Sequence, residues 1–202
     1  MLTLAINTAT SKTEIALFEN GQILNETFWL SENNEAEKLM PAIKELLGPH
    51  AFSEITKVLV VNGPGSFTGL RIGVATANTI ANLNNCELYS INTFEYLWLK
   101  NTDPEEFSLL VFAGSGAVYV SENSAELGLL TNLPDLQIKS KKVFGDISDK
   151  QKELLTVPFI DFPETFGQTI AKLDLNKLQS QKLIQPLYVK DPGITASKKP
   201  TF

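Results

Sequence analysis

Between Val58 and Cys86 the chain carries one charged side chain, Arg71, in the run "VLVVNGPGSFTGLRIGVATANTIANLNNC". The apolar stretch that ends at Gly63-Pro64-Gly65 reads as a strand covered on both faces, followed by a tight turn. A helix behind it with so little charge lacks the usual solvated face and is expected to be covered on more than one side. Gly69, Gly73, Ala77 and Ala81 recur every four residues, which lines them up as one narrow ridge of small residues. Each glycine inside a helix costs about 1 kcal/mol relative to alanine, so two on one ridge imply a packing reason. That reason is contact with the chain's own sheet, contact with a helix at Glu35–Leu47, or docking of a partner. The missing charge favours the partner, because Asn78, Asn82, Asn84 and Asn85 supply polarity without charge, as interface cores do. The expected interface residues are Leu39, Ile43, Gly69, Arg71, Ile72, Gly73, Ala77, Ile80 and Ala81. On this reading Gly73→Leu abolishes partner binding and leaves the monomer folded.

The glycine turn also invites a nucleotide reading, which fails on spacing. A P-loop needs a lysine after its last glycine, and Leu70 follows Gly69. A dinucleotide turn needs a third glycine where Thr68 stands. Ser66 reads instead as a helix cap. Free N–H groups at the helix start leave Gly63, Gly65, Ser66 and Arg71 as candidate anion contacts. His50 is the only histidine and Cys86 the only cysteine, which excludes a zinc site of the usual ligands and a Ser-His-Asp triad.

Upstream, "LTLAIN", "TEIALFEN" and "QILNETFWL" read as an antiparallel meander with Asn20-Gly21 as its hairpin turn. "EAEKLMPAIKELL" reads as a helix with Leu39, Ile43, Leu46 and Leu47 on one face, Asn33 or Asn34 as its cap and Pro41 inside it. With "KVLVVN" and "CELYSI" as strands, the order is β-β-β-α-β-α-β, which resembles a ribonuclease-H-like unit. The polar loop Lys100–Phe107 marks the boundary, giving an N-terminal lobe over 1–103 and a smaller C-terminal lobe with a polar tail over 104–202. In the second part "SLLVFAGSGAVYVSEN" reads as a hairpin turning on Gly114-Ser115-Gly116, "PETFGQTIAKL" as a helix and "PLYVKDP" as a short strand. A net charge of −6 argues against stand-alone nucleic-acid binding. No apolar run approaches the roughly 20 residues of a membrane span. The start lacks the basic residues of a secretory signal, and the lone cysteine fits a reducing cytoplasm.

"VNGPGSFTGLRIGVATANTIA" resembles the signature segment of the TsaB (YeaZ) family, a subunit of the bacterial tRNA threonylcarbamoyladenosine synthase. "LTLAINTATSKTEIALFENG" is similar to that family's first hairpin, "EAEKLMPAIKELL" to its first helix and "QPLYVKDP" to its C-terminal Pro-x-Tyr segment. The resemblance implies an α/β, actin-like fold of two ribonuclease-H-like lobes, the second reduced. It implies a non-catalytic partner of TsaD in a heterodimer, with the ATPase TsaE completing the complex and tRNA met only indirectly. The helices Glu35–Leu47 and Phe67–Leu83 would dock on TsaD, or pair two copies of the chain in a homodimer. It implies no catalytic residues, no metal, no membrane contact and no cofactor in the isolated chain, with ATP or ADP at the complex interface left open.

Three departures from the family pattern bear on this. Asn7 stands where relatives commonly carry Asp, Glu35-Ala36 replaces His-Ser, and "AGSGAVYV" keeps only Val118 and Tyr119 of an arginine-bearing segment. Actin-like kinases use the first-strand aspartate to hold magnesium, and a neutral amide binds a hard cation more weakly. Thr8-Ala9-Thr10 also lacks the glycine that admits a phosphate. The rival reading, an actin-like small-molecule kinase or ATPase, would therefore have a degenerate nucleotide site.

Overall fold

The computed structural model describes residues 1–32, 34–101, 106–113, 117–122, 129–133, 136, 138 and 140–189. Strands β1 (Leu2–Asn7), β2 (Lys12–Glu19) and β3 (Gln22–Leu30) form the antiparallel meander. Asn20 and Gly21 take φ of 53° and 84°, the positive values a two-residue hairpin turn needs. Helix α1 (Glu35–Leu47) leads to β4 (Ile55–Val61), and α2 (Phe67–Asn84) leads to β5 (Glu87–Ile91). The sheet order is β3-β2-β1-β4-β5, with β4 parallel to β1 and β5 parallel to β4. This is the ribonuclease-H-like unit that the sequence order implied.

Alternation along each strand feeds two cores. Leu4, Ile6, Ile15, Leu17, Val58 and Val60 pack beneath α1 and α2, with Leu39, Ile43, Val74 and Ala77 facing them. Ala5, Ala16, Leu59 and Val61, on the opposite face, join a cluster that includes Phe94, Phe144 and Phe166. Both faces of β4 are therefore covered, which is why its sequence is an unbroken apolar run.

The second sheet comprises β6 (Phe107–Phe112), β7 (Ala117–Ser121), β8 (Leu129–Asn132) and β9 (Lys142–Asp146). Its order, β8-β7-β6-β9, repeats the first four strands of the first sheet: an antiparallel meander with β9 parallel to β6. Edge-on aromatic pairs stitch the two lobes together, with ring centroids 5.0 Å apart for Trp98–Phe144 and 6.3 Å for Phe94–Tyr119. Trp98 belongs to α3 (Thr93–Trp98), a short helix that Asn92 and Glu95 start with a capping box. Helices α4 (Asp149–Lys152) and α5 (Phe166–Ile170) follow. The latter packs on β2 and β3, and its Gly167 N–H donates to Glu26 Oε2 at 2.8 Å.

Several local expectations need correction or fall outside the described residues. Asn34 occupies the cap position of α1 but makes no side-chain cap bond, and Asn33 is not described. Pro41 lies within α1, which runs unbroken from Glu35 to Leu47. The described part of "PLYVKDP", Pro186–Val189, is not a strand: its backbone forms no ladder, and Leu187 N–H donates to Asn62 O in the loop after β4. The boundary at 103/104, the hairpin turn at 114–116 and the tail from 190 onward lie outside the described residues.

Candidate docking face and the cleft between the lobes

The glycine turn is tied into the chain's own backbone. Ser66 N–H donates to Ala9 O at 2.8 Å, and Thr93 N–H donates to Gly63 O at 2.8 Å. Thr93 Oγ1 donates to Pro64 O at 2.6 Å. Gly63 has φ of 113°, in the left-handed half of backbone space. A Cβ on Gly65 would stand 2.0 Å from Ala9 O, so that residue's freedom is used for close approach of two loops. Ser66 Oγ caps α2 by accepting from Gly69 N–H at 3.2 Å. Of the four candidate anion contacts, Gly63, Gly65 and Ser66 are thus engaged within the chain, and Arg71 lies exposed beside them.

The ridge of small residues points inward. A Cβ on Gly69 would meet Thr8 O at 2.1 Å, and one on Gly73 would meet Thr8 Oγ1 at 2.1 Å. Thr8 Oγ1 itself donates to Gly69 O at 2.7 Å, so α2 lies directly on the loop after β1. Leu39, Ile43, Ala77, Ile80 and Ala81 are buried in the same core, and Ile72 packs against it half-buried. Contrary to the expectation that they meet a partner, Leu39, Ile43, Gly69, Gly73, Ala77, Ile80 and Ala81 are buried inside the chain itself. The glycines are small because the chain's own β1–β2 loop needs the space. Arg71 alone of the expected set is exposed, and it contacts neither Glu35 nor Glu37 by an ion pair.

The outward face of α2 carries a second stripe at the same spacing: Arg71, Ala75, Thr79 and Leu83, all exposed, with Leu83 at 76%. On α1 the exposed counterparts are Ala36, Met40 and Lys44. Alanine and threonine in mid-stripe let a second helix lie close, and the flanking Leu83 and Met40 offer apolar side chains to it. The sequence concealed this face because both stripes of α2 are small, and spacing alone does not say which one the sheet takes.

Behind this face lies a cleft of about 720 Å3 between the lobes. At its edge Asn7 Nδ2 donates both protons inside the chain, to Thr10 Oγ1 at 2.8 Å and to Glu14 Oε2 at 2.9 Å. Tyr96 OH donates to the same carboxylate oxygen at 2.8 Å. An aspartate in place of Asn7 would set two carboxylates together, so the neutral amide is built into the network. Burial, and then the Glu14 charge, push the Tyr96 hydroxyl well above its usual value. Across the cleft Asp146 accepts from Ser11 N–H at 2.8 Å and also from Ser11 Oγ, closing the lobes at one point. Burial raises the Asp146 carboxyl above its ordinary value. Among the described residues no three His, Cys, Asp or Glu side chains converge in a metal-holding group.

Lys100, also in the cleft, lies over the Tyr96 ring at 5.2 Å and donates to Glu164 O at 3.3 Å. Burial lowers its ammonium below the usual 10.5. A lowered lysine favours folding most above 10.5, and that contribution is lost as pH falls through its folded value. At neutral pH the charged form is therefore a burden. Lys100→Met is expected to raise the melting temperature at pH 7, with the gain shrinking as the pH approaches 10.5; melting curves of both proteins across that range check it.

Two ribonuclease-H-like sheets in one chain, closed by an aromatic seam, define an actin-like protein. A family model described as TsaD, tRNA N6-adenosine threonylcarbamoyltransferase, matches residues 30–194. The TsaB tRNA threonylcarbamoyladenosine biosynthesis protein of Bacillus subtilis is 28% identical over 77% of this chain and 69% of its own length. The Escherichia coli TsaB is 30% identical over 60% of this chain and 54% of its own length. A solved structure of YeaZ from Pseudomonas aeruginosa superposes with a TM-score of 0.69 at 16% identity, covering 93% of this chain and 99% of that one. The chain belongs to this threonylcarbamoyltransferase-like family, and within it to the TsaB (YeaZ) branch. Among the described residues no helix is long and apolar enough to cross a membrane.

Proposed function

We propose that this chain is a docking subunit in tRNA threonylcarbamoyladenosine biosynthesis, without chemistry of its own, that binds TsaD through the outward stripe of α2 and the exposed side of α1. The observation that carries the reading is that stripe: Arg71, Ala75, Thr79 and Leu83 stand exposed on a helix with no other charge. A solvated helix normally spreads charge over such a face, and a helix-on-helix interface does not need it. The curated relatives named for this biosynthesis support the setting. In this reading TsaE joins through TsaD, tRNA is met only by the assembled complex in the cytoplasm, and a homodimer through the same stripe competes with TsaD.

The rival kinase or ATPase activity draws on the cleft, but both protons of Asn7 Nδ2 are already spent on Thr10 and Glu14. Titrating purified TsaD into the chain in a calorimeter tests the proposal. Saturable one-to-one binding, without ATP turnover by the isolated chain, is the expected result. Turnover by the chain alone, reduced by changing cleft residues, would sink it.

A further inference from the structure

Residues 180–189 form no helix or strand, yet they are fastened to the first lobe along their length. Gln181 N–H donates to Leu88 O at 2.8 Å, and Leu187 N–H donates to Asn62 O at 2.7 Å. Asn78 brackets the backbone of Ile184, donating from Nδ2 to its carbonyl and accepting at Oδ1 from its N–H, each at 2.9 Å. Asn62 Nδ2 donates to Gln185 O at 3.3 Å. Ile184 enters the α1–α2 core at 2% exposure. Two of the uncharged asparagines of the opening stretch are thus clamps for this strap.

The strap ends on the docking stripe. The Tyr188 ring lies 5.2 Å from that of Phe67, the first residue of α2. The Arg71 guanidinium sits 3.8 Å over the other partner of that pair, the Phe67 ring, and its Nε donates to the Tyr188 hydroxyl at 3.1 Å. Its terminal nitrogens have no hydrogen-bond or ion-pair partner among the described residues. An exposed arginine ordinarily loses much side-chain freedom when it binds. One already stacked and held through Nε keeps its two-pronged end aimed outward and loses less.

We propose that Tyr188 is a positioning residue of the docking face, holding Arg71 so that its terminal nitrogens meet a carboxylate of TsaD. This inference rests on the reading that the α2 stripe docks TsaD. The guanidinium fork matches a carboxylate in paired hydrogen bonds, which gives the contact a defined geometry. The strap therefore belongs to the interface, although Tyr188 lies 117 positions from Arg71 in the chain.

The test is calorimetric titration of TsaD into the full chain carrying Tyr188→Ala, Tyr188→Phe, Arg71→Ala or both alanines, each with a melting curve. Tyr188→Ala is expected to weaken binding about tenfold, the scale of an interface anchor, with Arg71→Ala at least as damaging. The double variant should bind no worse than Arg71→Ala alone, because Tyr188 acts through that side chain. Tyr188→Phe keeps the ring and removes the hydroxyl, so it should lose less, and it replaces the alanine variant in the cycle if that one melts. Losses that multiply in the double variant, or wild-type affinity in Tyr188→Ala, overturn the inference. Ala75→Arg blocks the stripe without touching the strap and separates the two layers. If it abolishes binding while Tyr188→Ala does not, only the strap's role fails; if both bind as wild type, the docking reading falls and takes this one with it.

Discussion

Gly73→Leu is expected to unfold the chain or leave it barely stable, not merely to loosen a partner. The added side chain begins 2.1 Å from Thr8 Oγ1, an atom that already donates to Gly69 O. Thr8 is 1% exposed, so it has no solvent to turn into. Overpacking of this kind costs about 1–3 kcal/mol, and losing the buried hydrogen bond adds about as much again. Set against a total stability of about 5–15 kcal/mol, that is a large share. Gly73→Ala should show a smaller loss, and Thr8→Ala beside it should recover part of that loss by clearing the collision. Denaturant melts of the three variants measure this. A folded, full-stability Gly73→Leu that fails to bind TsaD would put the ridge back on the outside.

Ala75→Arg should do the reverse: leave the fold intact and remove TsaD binding. Ala75 is exposed two residues from the buried Gly73. Arginine is a good helix former, so its cost to stability should stay within about 0.5 kcal/mol. At a helix contact with axes about 8–10 Å apart, a long charged side chain in mid-stripe has nowhere to lie. A loss of about a hundredfold in affinity is expected, comparable to removing a central anchor. The melting temperature and the calorimetric titration read the two halves separately. Thr79→Arg, one turn further along the same stripe, should behave alike.

The contrast between positions 73 and 75 marks where the sequence stopped being informative. The meander, α1, β4, α2 and β5 were legible because alternation, an Asn-Gly turn and a heavily apolar strand are local signals. The direction of α2 was not. Gly69, Gly73, Ala77 and Ala81 stand out as small, but Ala75 and Thr79 on the other side are nearly as small. Only the loop carrying Thr8, distant in sequence, decides which stripe is buried. The strap was illegible for a similar reason: its fastenings are Asn62 and Asn78 side chains, which leave no period in the sequence of residues 180–189. The cleft network was half visible, since Asn7 was recognised as a lost charge while its bond to Glu14 was not foreseeable. Helix α3 has a readable sign in the sequence, the Asn92 and Glu95 capping box.

Threonylcarbamoyl transfer to tRNA by a complex reconstituted from TsaD, TsaE, a threonylcarbamoyl donor and this chain is the most direct measurement. It should be run with the wild-type chain, Ala75→Arg and Glu14→Gln, the last of which keeps an acceptor for Asn7 and Tyr96 in the cleft. If the chain serves by docking alone, Glu14→Gln supports the wild-type rate and Ala75→Arg supports none. Loss of transfer with Glu14→Gln while TsaD remains bound, or full transfer with Ala75→Arg, would contradict it.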